Sequence, residues 1–187
     1  MKTEAADSEA FNPYAAPAAR VDEVAPAGPD PVFFAVSMLK LTVMGVFTFG
    51  FYNVYWFYKN WKCVQQLGDD VNAPIRAVFY PLVSYGLFKR VREHAARVGV
   101  EAGFPAGILA ISLFLIYVVA QYVDPSGLSA LSGVLLLLPV QSTVNAINRK
   151  LAPNADRNAR FSGVNIFWLV VGGIILLLAV IGNVVDE

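Results

Sequence analysis

The stretch that most restricts what this chain can fold into lies at 37–61. Residues 41–58 are 18 consecutive positions without a charge. As a helix at about 1.5 Å per residue, such a run nearly spans a hydrocarbon layer of roughly 30 Å. One end is crowded with Tyr52, Tyr55, Trp56, Tyr58 and Trp61, and Lys59 and Lys62 lie beside them. Rings with a polar tip, next to ammonium groups, suit a membrane–water boundary. The expectation is a transmembrane helix over 37–58 that ends in an aromatic belt. Ser37 is placed to cap it. Lys40, one turn inside, is placed to snorkel to the nearer surface as an anchor.

The rest of the chain repeats the pattern. Residues 104–123 form a second run of 20 uncharged positions. A breaker, Asp124-Pro125-Ser126-Gly127, then leads into a third span over 128–148, so the two should form an antiparallel hairpin. Ala106 and Ala110, and Ser129 and Gly133, have the four-residue spacing of small residues at close helix contacts. A fourth span is expected at 163–185, capped by Ser162, with Trp168 as a belt residue and Gly172-Gly173 as a flat spot. Only 15% of residues are charged, against about 25% in soluble domains, and the mean hydropathy is +0.55. The fold class expected is therefore all-α: an integral membrane helical bundle of four transmembrane helices plus one interfacial or re-entrant amphipathic helix.

That extra helix is expected at 73–97. Asn72 and Pro74 read as a helix start. Residues 77–88 are twelve uncharged positions, too few to span. They lead into Lys89, Arg90, Arg92 and Arg97, which are candidate contacts for anionic lipid. The alternative is a solvated helix end. Residues 1–31 carry six acidic residues and lack the basic start and apolar run of a signal peptide. They read as a disordered Ala/Pro-rich tail, which leaves 32–187 as the transmembrane domain.

The third span changes character at Pro139, which should kink it. Gln141, Asn145 and Asn148 then fall on one helical face. Amides in hydrocarbon seek partners, so this face should point into the bundle. It reads either as interhelical glue or as part of a polar ligand path. Four spans place 11 of the 14 Lys and Arg on one side, in 59–103 and 149–162. The positive-inside rule makes that side cytoplasmic and both termini external. A competing five-span arrangement makes 73–88 a span and keeps the N-terminus inside.

Catalytic signals are sparse. No expected span holds Asp or Glu, and no phosphate loop, His-Glu-x-x-His or Gly-x-Ser-x-Gly occurs. The single cysteine, Cys63, and single histidine, His94, leave little for metal or acid–base chemistry. Positive-inside charge accounts for the basic loops without nucleic acid. No cofactor is expected.

The run Thr48-Phe49-Gly50-Phe51-Tyr52, continued by Tyr55-Trp56-Phe57-Tyr58-Lys59-Asn60-Trp61, resembles a family of small bacterial multi-pass membrane proteins of unknown function. The segment Pro74-Ile75-Arg76-Ala77-Val78-Phe79 and the Gln141, Asn145, Asn148 face are similar to later blocks of that family. The resemblance covers roughly 33–185 and implies a bacterial inner membrane; it supplies no catalytic residue. Asn12-Pro13-Tyr14 is similar to tails on other bacterial membrane proteins and reads as a docking peptide. The functional expectation is a non-enzymatic envelope scaffold or regulator that binds a protein partner or lipid, alone or as a homo-oligomer. The alternative is a small-solute channel or carrier that uses the polar face of the third span.

Overall fold

The computed structural model describes residues 29–122 and 132–185. Seven helices and no strand occur among the described residues: α1 (Met38–Phe47), α2 (Phe51–Gln66), α3 (Ala73–Val78), α4 (Tyr80–Arg97), α5 (Ala106–Tyr122), α6 (Ser132–Leu151) and α7 (Gly163–Val185). The all-α expectation holds. The tail at 1–28, the turn at 124–127 and the start of the expected third span lie outside the described residues. Among those described, no helix is long and apolar enough to cross a membrane. α1 has 10 residues, α5 has 17, and α6 joins an apolar half to an amide-rich half. The described side chains of α7 run without a gap only over 163–178.

The first expected span, 37–58, is corrected: it is two helices. Ser37 starts α1 by accepting a hydrogen bond from the Lys40 N–H. The helix then closes in a Schellman-type turn. Gly50 N–H donates to the Gly45 carbonyl and Phe49 N–H to the Val46 carbonyl. Phe49 and Gly50 both have positive φ, 50° and 82°. A helix cannot run through two such residues. Thr48 holds the corner: its hydroxyl donates to the Met44 carbonyl and accepts from the Tyr52 N–H, which starts α2.

α1 and α2 therefore form a hairpin rather than one rod. Phe34, just before α1, meets Asn60 and Tyr55 of α2. The corner lies at the far end, where Gly45 abuts Val134 and Asn53 neighbours Gly133. Both open ends of the hairpin lie level with Asn148 of α6, some 14 residues along the helix from Val134. That is a depth of about 21 Å.

The expected single helix at 73–97 is also divided. Asn72 caps α3 by accepting from Ile75 N–H, and α3 stops at Phe79 before α4 begins. α3 packs on α2, and α4 packs on α5 and α6. α6 is central and touches α1, α4 and α5, while the main neighbour of α7 is α1. The core that these helices close includes Trp56, Phe57, Trp61, Phe88, Leu137 and Ile147. α6 continues across Pro139; the ring leaves the Leu135 carbonyl without its helical donor.

Two glycines set the close approaches. A Cβ on Gly45 would lie 2.5 Å from Cγ2 of Val134, and one on Gly172 would run into the Phe47 carbonyl. Gly45→Ala should lower stability by about 1–3 kcal/mol, as overpacking does. Adding Val134→Ala should recover part of that loss in thermal unfolding of the purified protein. An equal loss with and without Val134→Ala would overturn this account of the contact.

Candidate functional site

The amide face of α6 meets a strap at 33–36 that is neither helix nor strand. Phe33, Phe34, Ala35 and Val36 are all buried. Buried peptide groups need hydrogen-bond partners, and here side-chain amides supply them. Asn148 makes a two-way pair with Phe33, accepting from its N–H at 3.2 Å and donating to its carbonyl at 2.9 Å. Gln141 donates to the carbonyls of Phe34 and Val36, at 3.3 and 3.2 Å. Asn145 donates to the Val36 carbonyl at 3.0 Å and accepts from Gln141 at 2.9 Å. Asn60 of α2 accepts from Phe34 N–H, and Asn158, in the loop before α7, donates to the Ala35 carbonyl.

Gln141 lies at the centre and is fully buried. Its Oε1 accepts from the indole N–H of Trp56 at 2.6 Å. The Trp56 carbonyl in turn accepts from Asn60, 3.0 Å away. The i, i+4, i+7 spacing thus brings Gln141, Asn145 and Asn148 together against the strap. Their polar groups are engaged by a buried piece of main chain. Pro139 lies two residues before Gln141, and its carbonyl accepts from the Thr143 hydroxyl.

The aromatic residues expected at a boundary divide. Tyr52, Trp56 and Trp61 are buried in the core, which corrects their assignment to a belt; Tyr55 and Trp168 are about half exposed, and Tyr58 is half-buried. Packing decides this, because α2 lies between α1, α3 and α4 and turns its Trp-bearing face inward. Arg76 and Arg90 lie against the Trp61 ring, at 4.6 and 5.5 Å from its centroid. Arg90 also pairs with Asp69 and donates to the Gly86 carbonyl. Of the four basic residues singled out on α4, Lys89 pairs with Glu93 at 3.7 Å, while Arg92 and Arg97 are exposed. Lys40 is buried, and its ammonium reaches Asn158 Oδ1 and the Arg160 carbonyl, both at 2.7 Å.

His94 stands against the strap from α4. Its ring meets Phe33 edge to face at 5.4 Å, and its Nε2 is buried without a partner. Burial, then the Arg97 charge, lowers its pKa below the usual 6.5. Asn60, Asn158 and the strap were not legible as functional positions. The signal present was slight: Asn60 follows Trp56 by four residues, so the two share a face. Among the described residues no group of three His, Cys, Asp or Glu side chains could hold a metal. Comparison with family models, curated proteins and solved structures gives no match.

Gln141→Leu would leave the Trp56 indole and the Phe34 carbonyl without a partner and the Val36 carbonyl with Asn145 alone. It should cost at least about 2 kcal/mol, since orphaned buried groups cost roughly 1–3 kcal/mol each. Trp56→Phe should be less than additive with it. Full additivity in a double-mutant cycle of unfolding free energies would show that the pair does not couple.

The His94 shift has a sign. The unfolded chain takes up a proton near pH 6.5, while the folded chain resists until lower pH. Stability should therefore be full above about 6.5 and fall as pH drops towards the depressed value. His94→Gln should flatten that part of the profile of melting temperature against pH; an unchanged slope would assign it to other groups.

Proposed function

We propose that this chain is a membrane-embedded, non-enzymatic envelope protein, a scaffold or regulator that binds lipid or a protein partner. The observation that carries the reading is its polarity. Amides are buried, while large apolar side chains face outward on α5 and α7. Ile108, Ile111 and Leu115 are exposed on α5, and Val170, Ile174, Leu177 and Leu178 on α7. α7 shows apolar side chains on most of its circumference over 163–178. Contiguous exposed apolar surface of this kind marks a membrane or an interaction face. A helix apolar all round needs an apolar surrounding. The resemblance to small bacterial multi-pass proteins favours the inner membrane as that surrounding.

The hairpin refines the topology proposed. Non-helical backbone at membrane depth is tolerated where protein buries it, and the Thr48–Gly50 corner lies between α6 and α7. In this reading α1 and α2 enter and return on one side as a re-entrant pair. The uncharged runs 104–123, 128–148 and 163–185, to which α5, α6 and α7 contribute, then cross in this reading, out, in and out again. The strap emerges beside the basic segments 59–103 and 149–162. By the positive-inside rule that side is cytoplasmic, so the chain before the strap is cytoplasmic as well. The same geometry counts against a solute path along the α6 amides, because the strap occupies them.

Alkaline carbonate extraction of bacterial membranes should leave the wild-type chain in the pellet. Ile174→Arg should shift it strongly to the supernatant or to degradation, as a mid-bilayer Arg costs about 2.5–3.5 kcal/mol on insertion scales. In a Cys63→Ser background, Asp30→Cys and Arg157→Cys should react with an impermeant maleimide only after spheroplasts are permeabilised. Labelling of Asp30→Cys from outside would restore a crossing at 37–58 and overturn the re-entrant hairpin.

A further inference from the structure

A groove of about 740 Å³ runs along α7 and is walled on its other side by α1, the Thr48–Phe49 corner and Phe51, Tyr52 and Tyr55 of α2. One end is polar and is formed by Lys40, Asn158, Arg160 and Ser162. The other is apolar, walled by Met44, Phe47, Trp168 and Ile175. From Ser162 to Ile175 the groove follows α7 for 13 residues, about 20 Å. One leaflet of hydrocarbon is roughly 15 Å deep, and a headgroup adds the remainder.

The polar end is arranged for negative charge. Lys40 is 4% exposed. Its ammonium is held by two neutral oxygens, and it belongs to neither of the two ion pairs found among the described residues. The nearby Asp156 carboxylate accepts from the Asn158 N–H at 2.8 Å and acts on Lys40 as a partial counter-charge without forming an ion pair with it. A charge taken from water favours a compensating partner. The N-terminus of the 23-residue α7 opens at the same end through Ser162 and Asn165, where the helix dipole adds positive potential. Arg160 brings a second cation to this rim.

We propose that this groove is a binding site for one acidic phospholipid, with its phosphate against Lys40 and one acyl chain laid along α7 beside α1 and the start of α2. The assignment rests on the membrane reading above and specifies a ligand for it. The occupant is charged because the buried cation is, and it carries a chain because the walls beyond Met44 are mostly apolar, with Phe47, Phe51, Trp168 and Ile175 among them. In the proposed topology the polar end lies with the basic segments at the cytoplasmic surface, where anionic headgroups are met.

The test is native mass spectrometry with thermal unfolding of the full chain in mild detergent, titrated with phosphatidylglycerol, phosphatidylethanolamine, oleate or inorganic phosphate. Phosphatidylglycerol should bind one to one and raise the melting temperature well above the shift given by phosphatidylethanolamine. Lys40→Met should weaken that binding about ten-fold or more, the scale of one charge-assisted contact. Arg160→Gln, an exposed substitution that keeps the carbonyl held by Lys40, should weaken it about two- to three-fold if rim charges act as screened contacts. Ile175→Trp, which fills the apolar end, should weaken it without altering the headgroup. These last two keep the test alive if Lys40→Met does not fold. Equal binding of both phospholipids, unchanged affinity in Arg160→Gln and Ile175→Trp, or equal protection by phosphate alone would overturn the proposal. So would tighter binding of oleate. A wild-type chain that resists carbonate yet shows no preference for phosphatidylglycerol would sink this site while leaving the membrane reading intact.

Discussion

Everything near the centre of this protein follows from burying four residues that are in no helix or strand. The peptide groups of Phe33, Phe34, Ala35 and Val36 cannot satisfy one another. Each left unpaired would cost about 1–3 kcal/mol. A side-chain amide is the natural substitute for a neighbouring strand, because it carries a carbonyl acceptor and an N–H donor, as the backbone does. Five such side chains converge on the strap, from α2 (Asn60), α6 (Gln141, Asn145, Asn148) and the loop before α7 (Asn158). Because they come from three places, the strap fixes how those places meet. The Asn148 pair with Phe33 sets its height along α6, and the Trp56 indole on Gln141 sets α2 against the same height.

The strap also decides what α1 can be. It delivers the chain to Ser37 at the end of α6 that bears Asn148, so α1 must run along α6 towards Val134. Gly45 permits that approach because it has no Cβ to meet Val134. The chain then reverses where Phe49 and Gly50 take positive φ. For Gly50 this conformation is cheap; for Phe49 it costs about 1 kcal/mol or more. The hydrogen bonds of Thr48 and the turn offset that cost. What returns is α2, whose Asn60 comes back level with the strap. In the proposed membrane setting such a corner needs protein neighbours, and α6 and α7 provide them through Val134 and Gly172.

How much of this was legible depended on what kind of signal each part leaves. Helical character, the caps at Ser37 and Asn72, and the shared face of Gln141, Asn145 and Asn148 come from local chemistry and spacing, which a sequence displays directly. The corner at Thr48–Gly50 was invisible to an argument from hydropathy, since an uncharged run reads the same whether it crosses or turns back. Gly50 was its one local mark, and the Phe49 conformation has no residue-type signature. Trp56 and Trp61 look like belt residues for a similar reason. The Trp56 tip suits an interface, but a buried acceptor on Gln141 suits it equally well, and the Trp61 ring is taken up by the Arg76 guanidinium over its face. The partner of the amide face lay more than 100 residues away in a segment that merely preceded a helix. No periodicity could pair Asn148 with Phe33.

The distribution of polarity ties the strap to the proposed membrane setting. In water, a chain that buries the amides of Asn60, Gln141 and Asn148 and exposes Ile174, Leu177 and Leu178 would be arranged against the hydrophobic effect. In hydrocarbon the same arrangement is required, because amides must find partners inside the protein while apolar side chains meet a surrounding of their own kind. The amides of α6 find main chain, so their polarity is neutralised within the bundle. Lys40 differs. Two neutral oxygens satisfy its hydrogen bonds but leave its charge, at the mouth of an apolar groove. Lys40 is the one charged side chain among the buried polar residues described, and an anionic headgroup at the bilayer surface is the complement proposed for it.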